Sequence, residues 1–256
     1  MSGQRMVVTG AGHGIGRALA TRLAAEGCRV LVNDIDAGAA EQVAREIGAE
    51  AVGCDAASED GVAELVAAAG DLWGGVDVWF GNAGVERGRG LQASEADWAA
   101  SLEVNLLAHV RAARLLMPEW LERGHGRFVV TASAAGLLTM LGSPTYSASK
   151  HAVVAFAEWL SATYRHRGIV VQAVCPQGVR TRMVEQAGPM KAVLEHDGIL
   201  PPERVADAVW EALHDDRFLI LPHPEVAAYY AARAQDTDRW LADMNKVQQR
   251  MEALER

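Results

Sequence analysis

Cysteine is scarce in this chain, and metal-ligand spacing is missing altogether. Cys28, Cys54 and Cys175 are an odd number set far apart, so no disulfide framework and no zinc spacing can be drawn. Each falls in or beside a segment that reads as a strand, where a cysteine serves as a small buried apolar residue. The eight histidines contain no His-x-x-x-His pair, which leaves metal catalysis without a ligand set. No apolar leader stretch precedes the first strand, and no run approaches the ~18 apolar residues of a membrane span. The expectation is a soluble cytoplasmic protein with no membrane partner. Lysine and arginine total 24 against 33 acidic residues, a net charge of -9. Without a basic footprint, nucleic acid is excluded as a partner. There is no internal repeat, low-complexity tract or linker, and 256 residues suffice for one large domain with a substantial core.

What the chain does have is alternation. Apolar strands read at 5–9, 29–33, 50–54, 76–80, 127–131, 170–174 and 218–221. Helices read at 14–26, 37–47, from Ser58, at 95–121 and at 145–166. Strands separated by helices require crossovers and a parallel sheet covered on both faces. This predicts an α/β, Rossmann-like, doubly wound sheet of about seven strands, with ligands at the carboxyl ends of the strands.

The first strand runs into Gly10-Ala11-Gly12-His13-Gly14-Ile15-Gly16. The standard G-x-G-x-x-G dinucleotide spacing does not fit, because Ile15 or Arg17 takes the third glycine slot. The spacing that fits is Thr9-Gly10-x-x-x-Gly14-x-Gly16. Such a turn lets backbone approach a pyrophosphate closely, at a helix N-terminus with unpaired N–H groups. Asp34 ends the second strand, eighteen residues past Gly16, with Ile35 beside it. After a glycine turn, a carboxylate there accepts from ribose hydroxyls and repels a 2′-phosphate, which favours NAD(H) over NADP(H). Without that turn it would read as an ordinary turn aspartate.

Tyr146 and Lys150 stand four apart and share one helix face, with Ser133 thirteen residues upstream of Tyr146. An ammonium beside a phenol lowers the tyrosine pKa from about 10 and makes it usable as an acid or base. Taken alone, the pair also fits a surface lysine over a half-buried tyrosine.

Thr9-Gly10-x-x-x-Gly14-Ile15-Gly16, Asn82-Ala83-Gly84, Asn105, Ser133, Tyr146-x-x-x-Lys150 and Pro176-x-x-Val179-x-Thr181 occur in this order. The set resembles the short-chain dehydrogenase/reductases over roughly residues 5–221. The resemblance implies that Asp55 meets the adenine, that Asn82, Ala83 and Gly84 support the adenosine side, and that Pro176, Val179 and Thr181 meet the nicotinamide. It implies a catalytic set of Asn105, Ser133, Tyr146 and Lys150. In it Tyr146 is the acid/base, Ser133 holds the substrate oxygen, and Lys150 also bonds the cofactor ribose. Asn105 holds a water linked to the lysine, although a packed structural asparagine would look the same in sequence. Two positions depart from the family's pattern. Gly81 replaces a frequent asparagine, and Gln177 stands where Pro-Gly is usual. Gln177 is either a tolerated turn residue or an amide offered to substrate.

The expected function is NAD(H)-dependent interconversion of a hydrophobic secondary alcohol and its ketone. The alternatives are a 3-oxoacyl-thioester reductase, or a catalytically silent NAD-sensing or scaffold protein. Leu137, Leu138, Met140 and Leu141, with Met183, Met190, Val193 and Leu194 in a substrate loop at 180–200, suggest an apolar substrate. A catalytic domain is expected over 1–221 and a helical extension over 222–256. In the extension Trp240, Met244, Val247, Met251 and Leu254 form an apolar stripe. The stripe must dock, either on its own subunit or across a subunit interface. The resemblance implies a homo-oligomer, a dimer or tetramer.

Overall fold

The computed structural model describes residues 1–185 and 198–254. Seven parallel strands form one sheet: β1 (Arg5–Val8), β2 (Arg29–Asp34), β3 (Glu50–Gly53), β4 (Val78–Gly81), β5 (Gly126–Thr131), β6 (Ile169–Val174) and β7 (Leu219–Ile220). Their spatial order is β3-β2-β1-β4-β5-β6-β7. Chain direction across the sheet reverses between β1 and β4, and a crevice opens at the carboxyl ends there.

Period-two alternation splits the core into two layers. Val7, Leu31, Trp79 and Phe128 face one side. There they meet α3 (Glu59–Trp73), α5 (Ala108–Arg123) and α7 (Pro144–Tyr164) through Leu65, Trp120, Val153 and Leu160. Met6, Val8, Val30 and Phe80 face the other. They meet α1 (Gly14–Ala25), α2 (Ala37–Ile47) and α9 (Pro202–Ala212) through Leu19, Val43 and Val209. Interspersed with these in chain order are α4 (Glu95–Leu102), α6 (Ala135–Leu138) and α8 (Arg182–Glu185). Among the described residues no helix is long and apolar enough to cross a membrane.

The helix expected at 95–121 is not continuous. Ser94 opens α4 with a reciprocal cap, accepting from Asp97 N–H while Asp97 accepts from Ser94 N–H. A π-helical segment, Glu103–Leu107, then separates α4 from α5, and Asn105 sits inside it. Such a bulge adds one residue per turn and leaves the apolar spacing readable as one helix.

Two helices end the chain, α10 (Glu225–Gln235) and α11 (Thr237–Leu254). Three residues of the stripe pack within the chain. Met251 and Val247 pack on Met140 and Leu141, and Trp240 packs with Tyr229. Arg233 of α10 donates to the Leu137 carbonyl and contacts His151 Nε2 at 3.2 Å.

Asp77, just before β4, accepts from Arg5 N (3.0 Å), Nε (2.9 Å) and NH2 (2.5 Å), with Arg123 behind it at 3.4 Å. Burial pushes this carboxyl up, but the Arg5 hydrogen bonds and the two guanidinium charges outweigh it and hold it below 3.8. A depressed folded pKa stabilises above the unfolded value and is lost as pH falls through the folded one. Asp77→Asn is therefore expected to cost about 1–3 kcal/mol at neutral pH. Urea titrations should show the gap closing below pH ~4; a gap independent of pH would contradict the assignment.

Candidate active site

The crevice is a cleft of about 1260 Å³. Gly10, Gly14 and Ile15 line one end with Asp34, Ile35 and Asp55. Asn82, Ala83 and Gly84 form its floor, and Ser133, Tyr146, Lys150, Pro176, Val179 and Thr181 its other end.

The glycine turn is shaped by close approach. Gly10 has φ +60°, and a Cβ there would lie 2.8 Å from the Ala83 Cα. Gly16, expected among the cofactor-binding residues, is not among the residues lining the cleft. It is buried in the first turn of α1, where a Cβ would stand 2.2 Å from the Gly10 carbonyl oxygen, so it lets the helix pack directly beneath the glycine turn. The α1 N-terminus carries no acidic residue in its first turn and no side-chain cap. Its N–H groups remain available to an anion.

Asp34 is also part of this turn. Its Oδ2 accepts from Gly12 N–H at 2.9 Å and its Oδ1 from Asp36 N–H at 3.0 Å. Asp55 Oδ1 accepts from Ala57 N–H at 2.9 Å at the head of α3. Asn82 knits three strand ends together. Its Nδ2 donates to the Thr9 and Gly10 carbonyls, and its Oδ1 accepts from Thr131 Oγ1 at 3.1 Å.

At the other end, Tyr146 and Lys150 are both buried on α7. Lys150 Nζ lies 5.6 Å from the Tyr146 ring centroid and donates to the Thr131 carbonyl at 2.7 Å. Thr131, whose hydroxyl and carbonyl serve Asn82 and Lys150, was missed in sequence; its place two residues before Ser133 is the only signal for it. Burial pushes Tyr146 up to about 12, against a hydrogen bond from Ser133 that pulls it down. Burial likewise pushes Lys150 down to about 8. Desolvation favours the neutral form of each group.

Asn105 is fully buried, and its side chain does not line the cleft. Its Oδ1 accepts from Val85 N–H (2.9 Å), while Nδ2 donates to the Val85 carbonyl (2.9 Å) and Ser149 Oγ (3.0 Å). This amide clamps the segment that leaves β4. The point where a Gly84 Cβ would sit is 3.3 Å from both Asn105 Oδ1 and Lys150 Nζ, so Gly84 keeps the two residues close.

The substrate side is only partly where the sequence pointed. Met183 lines the cleft with Val85 and Val184. Leu137 and Leu138 belong to the core, and Met140 and Leu141 lie under α11. Met190, Val193 and Leu194 lie outside the described residues. Gln177 and Gly178 both avoid positive φ, so the altered turn carries no backbone strain.

Gly81 has a physical partner. A Cβ there would lie 2.3 Å from Nδ1 of the buried His109, whose ring stands edge-on to Phe128. Burial pushes His109 down to about 3, so it stays neutral. Gly81→Ala should therefore cost about 1–3 kcal/mol. His109→Ala in the same chain should recover part of that loss. A double-mutant cycle by thermal denaturation reads the coupling, and strict additivity would mean the pair does not interact.

The family model for short chain dehydrogenases matches residues 4–192. The chain is 37% identical over 243 residues to 1-deoxy-11-beta-hydroxypentalenate dehydrogenase of Streptomyces exfoliatus, covering 91% of this chain and 87% of that protein. It is 37% identical over 201 residues to 2,5-dichloro-2,5-cyclohexadiene-1,4-diol dehydrogenase of Sphingobium indicum, covering 76% and 80%. Among solved structures it is similar to a short chain dehydrogenase/reductase from Burkholderia phymatum in complex with NAD. The TM-score there is 0.83 at 32% identity, over 93% of this chain and 95% of that one.

Proposed function

We propose that this chain, which belongs to the short-chain dehydrogenase/reductase family, interconverts a hydrophobic secondary alcohol and its ketone using NAD(H). One observation carries the reading. A single cleft joins an open helix N-terminus and the Asp34 carboxylate at one end to Ser133, Tyr146 and Lys150 at the other. The residues fit the cofactor. The α1 N–H groups suit a pyrophosphate, Asp34 keeps lone pairs for ribose hydroxyls, and Asp55 stands where an adenine amine would donate. Ile15, Asn82, Ala83 and Gly84 would lie along it, and Pro176, Val179 and Thr181 would face the nicotinamide. When bound, NAD(H) supplies the acceptor or donor of hydride.

The chain's own groups handle the proton. Ser133 Oγ, beside Tyr146, holds the substrate oxygen. The Tyr146 phenol gives its proton to a ketone oxygen in reduction and takes one from an alcohol in oxidation. Lys150, anchored on Thr131, holds the tyrosine ring from its face and reaches toward the cofactor ribose. Asn105 supports this arrangement by fixing Val85 beside it.

Burial pushes the Tyr146 pKa up to about 12, which favours the phenol as proton donor at neutral pH. Alcohol oxidation should rise with pH from neutral into the alkaline range, while ketone reduction stays flat over it. Parallel pH profiles of kcat/KM check this, and an oxidation rate that does not respond to pH would contradict it.

Val85, Met183 and Val184 support an apolar substrate. The two curated relatives are named for hydroxyl groups on ring compounds, which supports an alicyclic one. Exposed Leu107, Leu115 and Trp159, around α5 and α7, support assembly into a homodimer or homotetramer. An NAD-coupled screen of one- to three-ring secondary alcohols against 3-oxoacyl thioesters tests the substrate class. Turnover confined to the thioesters would reject the reading.

A further inference from the structure

After β7 the chain runs Leu221-Pro222-His223-Pro224 into α10. His223 is held between two prolines, each with its own φ fixed. The residue is only 2% exposed. Nδ1 lies 3.1 Å from Gln177 N–H, and Nε2 lies 3.1 Å from the Gly178 carbonyl oxygen. The amide can only donate and the carbonyl can only accept. The ring is therefore the neutral tautomer with its proton on Nε2, and it spans the turn after β6.

That turn has consequences at both sides. The Pro176 carbonyl accepts from Ala134 N–H at 2.8 Å and from Ser133 Oγ at 3.5 Å, which ties the turn to the segment carrying Ser133. The Gly178 carbonyl also accepts from Leu200 N–H at 3.0 Å, and Val179 bridges to Leu200. Pro176 and Val179 themselves line the reactive end of the cleft. Gln177 occupies the middle of the turn without positive φ. The turn is thus set by an imidazole delivered from beyond β7.

We infer that His223 is a positioning residue, which fixes the Pro176–Val179 turn against Ser133 and so sets the nicotinamide half of the cofactor for reaction. The inference rests on the cleft being an NAD(H) site. His223 is not among the residues lining the cleft, and its bonds to the backbone of Gln177 and Gly178 are the ones the inference uses.

The position makes a divided effect. The adenosine half of the cleft is built from the glycine turn, Asp34 and Asp55, none of which His223 contacts through the bonds above. His223→Leu, which keeps bulk and removes both hydrogen bonds, should lower kcat about tenfold to a hundredfold. It should weaken NADH binding severalfold, and leave the Kd of ADP-ribose, the cofactor without its nicotinamide, unchanged. His223→Asn keeps an acceptor near Nδ1, and His223→Gln keeps a donor near Nε2. Each should recover part of kcat. If His223→Leu does not fold, as read by circular dichroism, the same three measurements on the other two variants decide.

Unchanged kcat and NADH affinity would overturn the inference. So would equal weakening of NADH and ADP-ribose together with a lower Tm, since that marks general support of the fold. Wild-type protein that binds neither ligand would overturn the cofactor reading and this inference with it. Wild-type binding with an unaffected variant would overturn the inference alone.

Discussion

Tyr146→Phe is expected to lower kcat by about 10²–10⁴-fold while leaving the Kd of NADH within about twofold. Only the hydroxyl is removed. The buried ring keeps its packing, and Lys150 keeps its place over that ring and its bond to the Thr131 carbonyl. Lys150→Ala should behave differently. It removes the group assigned both to the tyrosine and to the cofactor ribose, so kcat and NADH affinity should fall together. Steady-state rates with NADH titrations by fluorescence separate the two patterns. A Tyr146→Phe protein with near-normal kcat would end the acid/base assignment.

The second large effect concerns cofactor choice. The ratio of kcat/KM for NADH over NADPH should be about a hundred or more, because a 2′-phosphate would sit against the Asp34 carboxylate at a cost of roughly 2–3 kcal/mol. Asp34→Ser with Ile35→Arg should narrow or reverse that ratio by removing the repulsion and adding a phosphate partner. Ile35 is 74% exposed, so an arginine there has room. Absolute rates should fall as well, because Asp34 also holds the Gly12 and Asp36 amides. The ratio is therefore the quantity to read. Equal use of both cofactors by the wild-type protein would contradict the role given to Asp34.

The sheet was legible because strands buried on both faces read as short apolar runs, and because a glycine turn after the first strand has few other causes. Tyr146, Ser133 and Lys150 were legible because their spacing puts them at one strand end and on one helix face. Features that depend on contact between distant residues were not. The π segment around Asn105 adds a residue without disturbing the apolar spacing. Gly81 departs from its family for a reason visible only when His109 is seen packed against it. Leu137 and Leu138 are as apolar as a substrate wall would be, yet they fill the core. The depth at which Tyr146 and Lys150 are buried is likewise not readable from their spacing. His223, from beyond the last strand, had no motif to announce it.

The most direct measurement is the near-ultraviolet absorbance of NADH when the wild-type protein is mixed with NAD⁺ and a one- to three-ring secondary alcohol. The account predicts NADH appearing in step with the ketone, faster at alkaline pH, and suppressed by Tyr146→Phe. Protein that binds NADH yet forms none with any such alcohol, and oxidises none with the matching ketones, would contradict it.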